Sequence, residues 1–479
     1  MESYGPQPVA KFIVFTRKGV LQGTLAFYYD RVATTISDGP LANAPPKQAC
    51  WGTSLFFSHY CVSLHTDMIT YDKHTLQNGL TVIANHDRAS RMAAVNILYK
   101  VGARNERPER TGLAHLFEHL MFRGTIAIPD FDTPVQMACG DNNAFTNNDY
   151  TDFYITLPVA NIETALWLES DRMTGLNLSS EAIEIEKRVV IEEFRQRYLN
   201  QPYGDLNMLL RDMVYTTHPY RWATIGLTPD HIEQASVEEI RDFYRRFYHP
   251  SNAILSVSAD IEPERIFELA EKWFGGIEDT LYTIPAIEPE PEQSAARRLE
   301  VERDVPATTI TIAFQMGNRL SRDFFLGDMT SDLLAGGDSA RLYERLIKQK
   351  RLFASTNAYI SGDVDRGMFV FTGQLLPSTS EAEAEAAIWE EIADLQRGNI
   401  TAYELEKVKN KFEANTLFGE LNVMNKAMNL GYYEMIGDLG LINREVKIYR
   451  SLSADDVASF SSRTFRPENS STLIYRAKR

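Results

Sequence analysis

Cysteine is scarce in this sequence of 479 residues, and long apolar runs are missing from it. The three cysteines, Cys50, Cys61 and Cys139, show no CxxC spacing, which argues against a disulfide framework or a thiolate zinc site. We find no apolar run of about eighteen residues and no signal-peptide pattern, so neither a membrane span nor secretion is expected. These absences favour a globular cytoplasmic protein, or a periplasmic one if the true start lies near Met68.

A surplus of positive charge is missing as well. The 49 lysines and arginines face 65 aspartates and glutamates, for a formal net charge of −16. Such a chain repels phosphate backbones and its basic residues are scattered, so we do not expect a nucleic-acid partner. The length and the 44% of hydrophobic residues are instead sufficient for two to four packed domains.

The chain changes character at Met68. Residues 1–67 lack a steady periodicity and are treated as an extension without an assigned role. The next segment, ITYDKHTLQNGLTVIANHD, predicts two strands around an Asn-Gly turn, and MAAVNILYKVG predicts a third, so that a β-meander opens the first domain. Helices are predicted around HLFEH, over residues 161–173, and from Ser180 to about Tyr198 with Ser179 or Ser180 as the N-cap.

An internal repeat indicates duplication. SVEEIRDFYRRFYHPSNA at residues 236–253 matches SADDVASFSSRTFRPENS at 453–470, and each copy predicts a helix leading into a strand. We therefore predict an α+β fold of two tandem homologous α/β-sandwich domains, each a mainly antiparallel sheet flanked by helices. The predicted domains cover residues 68–275 and 301–479, joined by an acidic, Pro-rich linker at 276–300.

The most informative segment is HLFEH, because it places two histidines and a glutamate within five positions. Successive residues of an α-helix are rotated by about 100°, so His115 and His119 point almost the same way and Glu118 lies about 60° to one side. Two imidazoles on one turn can bind one metal ion, and a carboxylate beside it can take a proton from an attacking water. Burying this polar stripe without a partner would carry a desolvation penalty, which a metal ion would relieve.

A third ligand can be sought on the helix EAIEIEKRVVIEEFRQRY. Glu186 and Glu193 are seven residues apart and therefore lie on one face, so that one could reach the metal while the other orients a histidine. The alternative from spacing alone is a solvated acidic face paired with Lys187, Arg188 and Arg195.

Three segments together, HLFEH, GDNNAFTNNDYTDFYITLP and EIEKRVVIEEF, resemble the inverted-motif zinc peptidases that include pitrilysin, insulin-degrading enzyme and the mitochondrial processing peptidase. The resemblance covers about residues 70–479. It implies one Zn²⁺ per chain, held by His115, His119 and Glu193, with Glu118 as general base and Glu186 as a supporting carboxylate. Glu192 is the rival of Glu193, which the seven-residue spacing favours.

The resemblance also implies a substrate site at Asn143, Ala144 and Phe145, on an edge strand to which an extended peptide can add main chain to main chain. In its second half the family commonly carries an arginine and, seven residues later, a tyrosine that bind substrate and stabilise the developing oxyanion. Here Ile347 and Ala354 occupy those positions, although Arg341, Tyr343 and Arg345 lie close enough to make that alignment arguable.

These expectations combine into one functional hypothesis. The chain is expected to be a zinc metalloendopeptidase that cleaves extended peptides or small unfolded polypeptides in a chamber formed with a second subunit. Because no second HxxEH motif occurs, we expect a homologous zinc-free partner carrying the Arg/Tyr pair, with a homodimer as the alternative. Two rivals are a non-catalytic structural or assembly subunit of the same fold and a purely structural zinc site.

Overall fold

A computed structural model describes residues 68–478, in which the strands form two β-sheets. The predicted extension at 1–67 lies outside the described residues. The first sheet contains β1 (Asp72–Thr75), β2 (Thr81–His86), β3 (Met92–Tyr99), β4 (Asp141–Thr146), β5 (Thr151–Pro158) and β6 (Ala253–Ala259). The second sheet contains β7 (Arg297–Arg303), β8 (Thr309–Gln315), β9 (Phe353–Ile360), β10 (Met368–Leu375) and β11 (Ser470–Ala477).

Helices flank both sheets. They are α1 (Leu113–Leu120), α2 (Asp132–Met137), α3 (Ile162–Gly175), α4 (Ser180–Phe194), α5 (Leu206–Val214), α6 (Pro229–Glu233), α7 (Val237–Phe247), α8 (Pro263–Phe274), α9 (Arg322–Ala335), α10 (Glu381–Gln396), α11 (Ala402–Gly419), α12 (Val423–Met435), α13 (Glu445–Ser451) and α14 (Ala454–Thr464). Within residues 68–478, no helix has both the length and the apolar character needed to cross a bilayer.

The sheet topology corrects one prediction. The strand order of the first sheet is β1-β2-β6-β3-β5-β4, so β3 does not continue the β1-β2 hairpin as the predicted meander required. Strand β6, about 170 residues downstream of β2 in the chain, lies between them, parallel to β2 and antiparallel to β3. The meander prediction was wrong because the local pattern identifies strands but carries no information on a long-range insertion.

The repeat has a clear structural meaning. Ser236 and Ser453 each accept a hydrogen bond from the backbone N–H three residues later, and the acidic side chain at that position caps in return. Each helix then leads into a strand, β6 or β11, that pairs with one parallel and one antiparallel neighbour. Two mainly antiparallel sheets with flanking helices confirm the predicted fold class. The exact domain boundaries and the linker stay predictions.

Each sheet is partly covered by a helix from the other half of the chain, where the first half contains β1–β6 and the second half contains β7–β11. Helix α12 of the second half packs on β3 and β6 of the first sheet, where the Ser256 hydroxyl donates to the Ala427 carbonyl at 2.7 Å. Helix α5 of the first half packs on the second sheet through Leu210, which shares an apolar cluster with Val370 and Leu473. Because each sheet needs a helix from the other half to cover one face, the packing of these helices holds the halves together.

Candidate metal centre

Helix α1 has an apolar face on one side and the predicted polar stripe on the other. Leu113, Leu116, Phe117 and Leu120 are buried, whereas His115, Glu118 and His119 are half-buried on the other side. Phe117 stacks on Phe243 of α7 with ring centroids 5.3 Å apart, which anchors the apolar face of α1. The apolar packing thus directs the stripe towards α4.

Helix α4 brings two carboxylates to the histidines. Its N-cap is Ser179, whose side chain accepts from the Ala182 N–H. Glu193 Oε2 lies 3.3 Å from His119 Nε2 and 3.8 Å from His115 Nε2, and Glu186 Oε2 lies 3.4 Å from His119 Nδ1.

Glu192, the rival ligand, points to solvent. Its side chain is 55% exposed and pairs with Arg195 at 3.6 Å, whereas the Glu193 side chain is 16% exposed. The structure therefore brings Glu193 and not Glu192 to the histidines. The assignment of ligand roles stays a prediction.

The donor set fits a zinc ion. One atom each from His115, His119 and Glu193 lies within 4.8 Å of the other two, and this is the one such group found among residues 68–478. The buried Nδ1 of His115 has no hydrogen-bond partner, and its Nε2 is beyond hydrogen-bond distance from Glu193. Two imidazole nitrogens and one carboxylate oxygen are a ligand set typical of catalytic zinc.

The two histidines differ electrostatically. Burial lowers the pKa of His115 to about 4, although Glu193 opposes the change. Burial would also lower the pKa of His119, but its bonds to Glu186 and Glu193 outweigh that effect and raise the pKa to about 9. A neutral His115 can bind a metal ion directly, whereas His119 must release a proton to do so, and Glu186 on its Nδ1 fixes the orientation of the ring.

Glu118 lines an open cavity beside the paired histidines. The cavity has a volume of about 360 Å³ and is lined by Glu118, His119, Phe122, Arg123 and Glu186. Burial raises the pKa of Glu118, and nearby Thr146 opposes the rise. A carboxylate with a raised pKa at the wall of a cavity is suited to general acid–base chemistry.

The predicted substrate residues lie on β4, which pairs with β5 only and is an edge of the first sheet. Asn143 is exposed, Ala144 is buried in the core of the first half, and Phe145 is half-buried with its ring 5.5 Å from that of Tyr150. An edge strand offers unpaired backbone groups to an added strand. Thr146, at the end of β4, is also the neighbour of Glu118, so this edge runs to the metal centre.

The two second-half positions aligned with the family's arginine and tyrosine carry no charge. Ile347 packs on the apolar core of that half and Ala354 is exposed on β9. The two arginines that made the alignment arguable are occupied by carboxylates: Arg341 Nε pairs with Glu404 at 2.7 Å, and Arg345 NH1 pairs with a carboxylate of α10 at 2.8 Å. Both arginines therefore hold the second half together.

Sequence reasoning missed three residues around the site. Arg123 binds Glu186, and Arg197 pairs with Glu193 Oε1 at 2.7 Å. An acidic and a basic residue four positions apart, as in Glu193 and Arg197, is a recognisable pattern on a helix. Glu106 contacts the start of α1 from a preceding loop, and no sequence spacing indicates such a contact.

Two family models match this chain. One, described as insulinase (peptidase family M16), matches residues 81–223, which include the paired histidines and Glu193. The other, described as peptidase M16 inactive domain, matches residues 234–412.

Individual proteins agree with these matches. The chain is 29% identical to zinc protease PqqE of Helicobacter pylori over 407 residues, covering 84% of this chain and 91% of that protein. It is 25% identical to the mitochondrial-processing peptidase subunit beta of Saccharomyces cerevisiae over 271 residues, or 55% of this chain and 58% of that one. A crystal structure of a protease from Helicobacter pylori superposes with a TM-score of 0.82 at 29% identity, covering 85% of this chain and all of that one.

Proposed function

The chain belongs to peptidase family M16, and from that premise we propose that it is a zinc-dependent endopeptidase acting on extended peptides or small unfolded polypeptides. The single observation that carries the proposal is the convergence of His115, His119 and Glu193 from two distant helices, with Glu118 beside them at a cavity. When bound, zinc would polarise a peptide carbonyl and lower the pKa of a water molecule.

Each residue of the centre has a task in this proposal. His115, His119 and Glu193 would hold the metal, leaving a position open for the reacting groups. Glu118 accepts a proton from the attacking water, a role for which its raised pKa suits it. Glu186 orients the His119 ring through Nδ1 and is itself held by Arg123.

We propose that the substrate adds to β4 as a further strand. Main-chain hydrogen bonding at this edge would hold a peptide extended and lead it past Thr146 to Glu118. Because such bonds are largely indifferent to side chains, broad specificity is expected. The formal charge of −16 would favour basic peptides over acidic ones.

We further propose that a second, homologous chain completes the site as part of a closed chamber. Positive groups aimed at developing oxyanion charge are often the largest catalytic contribution. Ile347 and Ala354 cannot supply it, and Arg341 and Arg345 are paired within the second half. A zinc-free partner carrying an arginine and a tyrosine is the first expectation and a homodimer the second; native co-purification followed by mass determination distinguishes them.

The test of the chemistry is Glu118→Gln, assayed with zinc content and hydrolysis of an internally quenched unfolded peptide. We expect one zinc per chain in both proteins and a fall in kcat of about 10²–10⁴-fold in the variant, the range typical of a general base. Full hydrolysis by a zinc-loaded variant would contradict the proposed role of Glu118.

A second candidate is a non-catalytic structural subunit of the same fold. One observation bearing on it is that the model matching residues 234–412, outside the metal centre, is described as peptidase M16 inactive domain. It predicts neither stoichiometric zinc nor hydrolysis in the purified native assembly. Zinc bound at one per chain with hydrolysis that depends on Glu118 would exclude this candidate.

A further inference from the structure

Helix α1 begins without a cap of its own. Its N-cap is Gly112, at φ 89°, and no side-chain hydrogen bond caps the helix from that position. A Cβ at Gly112 would lie 2.7 Å from the Ile225 carbonyl oxygen, so the serine or aspartate that usually caps a helix cannot be accommodated there. With eight residues, α1 is also too short to be stable by itself.

Glu106 supplies the missing acceptors from the preceding loop. Its Oε2 accepts the Gly112 N–H and its Oε1 accepts the Ala114 N–H, each at 2.8 Å. The residue is buried, with 7% of its surface exposed. Both oxygens of one carboxylate are therefore committed to the first turn of the helix that carries the histidines.

The Glu106 loop is itself anchored. The Glu106 backbone N–H donates to the Ala103 carbonyl at 3.2 Å, and the Trp222 Nε1–H donates to the same carbonyl at 3.0 Å. The Arg104 N–H donates to the Asn148 carbonyl at 2.8 Å, in the turn that follows β4. The carboxylate is thus fixed relative to the proposed substrate strand as well as to α1.

We propose that Glu106 is a positioning residue that holds α1 in the rotation at which His115 and His119 meet Glu193. This rests on the proposed zinc site. A rotation of α1 by about 20° would move an imidazole at its rim by about 2 Å. Metal–ligand distances tolerate only about 0.2 Å, so a small loss of restraint at the first turn is sufficient to weaken the site.

The test is Glu106→Gln, with Glu290→Gln as the matched control. Glu290 is also buried and accepts the backbone N–H groups of residues 216–218 at 2.8–2.9 Å, but it makes no bond to α1. In either variant, the glutamine NH₂ group would face a backbone N–H, so that two donors meet and one hydrogen bond is lost. Each variant would be measured for zinc affinity by competition with a chromogenic chelator, and for hydrogen exchange of residues 113–120 without metal.

We expect Glu106→Gln to weaken zinc binding about 10–100-fold, as is usual for residues that support a metal ligand, and to speed exchange in residues 113–120. Glu290→Gln should leave zinc affinity within about threefold and exchange of that segment unchanged, even if it lowers the melting temperature. Should Glu106→Gln fold poorly, Glu106→Asp keeps the charge with a shorter reach and should give an intermediate affinity.

Two results would overturn the proposal: an affinity and exchange rate in Glu106→Gln equal to those of the unaltered chain, or an equal loss in Glu290→Gln. If the unaltered chain takes up no zinc, the zinc-peptidase proposal fails. Hydrogen exchange of residues 113–120 then decides the role of Glu106 without reference to metal.

Discussion

Replacing Glu193 with glutamine is the sharpest test of the metal centre. The variant keeps the size of the side chain and removes the charge from the oxygen that lies 3.3 Å from His119 Nε2 and 3.8 Å from His115 Nε2. Structural zinc sites gain about 10–16 kcal/mol from four ligands, or about 3 kcal/mol for each. Losing most of one ligand should therefore weaken zinc binding about 100-fold.

The assay is a zinc titration of the metal-free chain against a competing chelator, with metal content measured after dialysis. Glu192→Gln is the matched control, because it removes the same charge from the neighbouring position, where the side chain is 55% exposed and faces Arg195. We expect its affinity to stay within about threefold of the unaltered chain, since exposed ion pairs contribute about 1 kcal/mol or less.

A fall of less than about fivefold in Glu193→Gln would refute the reasoning, because a charged donor in contact with the ion must matter more than a remote one. An equal loss in both variants would show that zinc affinity depends on the total negative charge of α4 and not on which carboxylate faces the histidines. Either result would leave the two histidines without the third ligand that the proposed chemistry needs.

Four further predictions concern residues around the centre and the effect of zinc on stability. Arg197→Ala should change zinc affinity by less than about fivefold, measured in the same titration, because the Arg197 side chain is 67% exposed. Arg341→Met should lower the free energy of unfolding in urea by about 3 kcal/mol, since it leaves the Glu404 carboxylate without its buried partner. Burial alone would raise the pKa of Glu404, but the hydrogen bond from Arg341 outweighs it and lowers that pKa to about 2. The unaltered chain should therefore lose stability as the pH falls from 4.5 towards 2, because Glu404 takes up a proton more readily when unfolded. Arg341→Met should lose less stability over that range. Zinc at about 100 times its Kd should stabilise the chain by about 2.7 kcal/mol in thermal unfolding, and Glu118→Gln should show the same gain.

The sequence by itself determined the local features of this protein. The three-residue and four-residue spacings in HLFEH place its polar groups on one helical stripe, and the structure has that stripe on α1. The copies at 236–253 and 453–470 contain their own caps and helix faces, so both form a helix leading into a strand. Short-range periodicity and capping are encoded within one or two turns of chain, which is why they can be predicted without the fold.

Only the tertiary structure decided which groups meet. The insertion of β6 between β2 and β3 and the packing of α5 and α12 on the opposite sheets depend on contacts across many tens of residues. The contact of Glu106 with the start of α1 is short in sequence, yet it depends on a left-handed Gly112 packed against Ile225. Such contacts are selected by burial and shape in the assembled core, and no spacing along the chain specifies them.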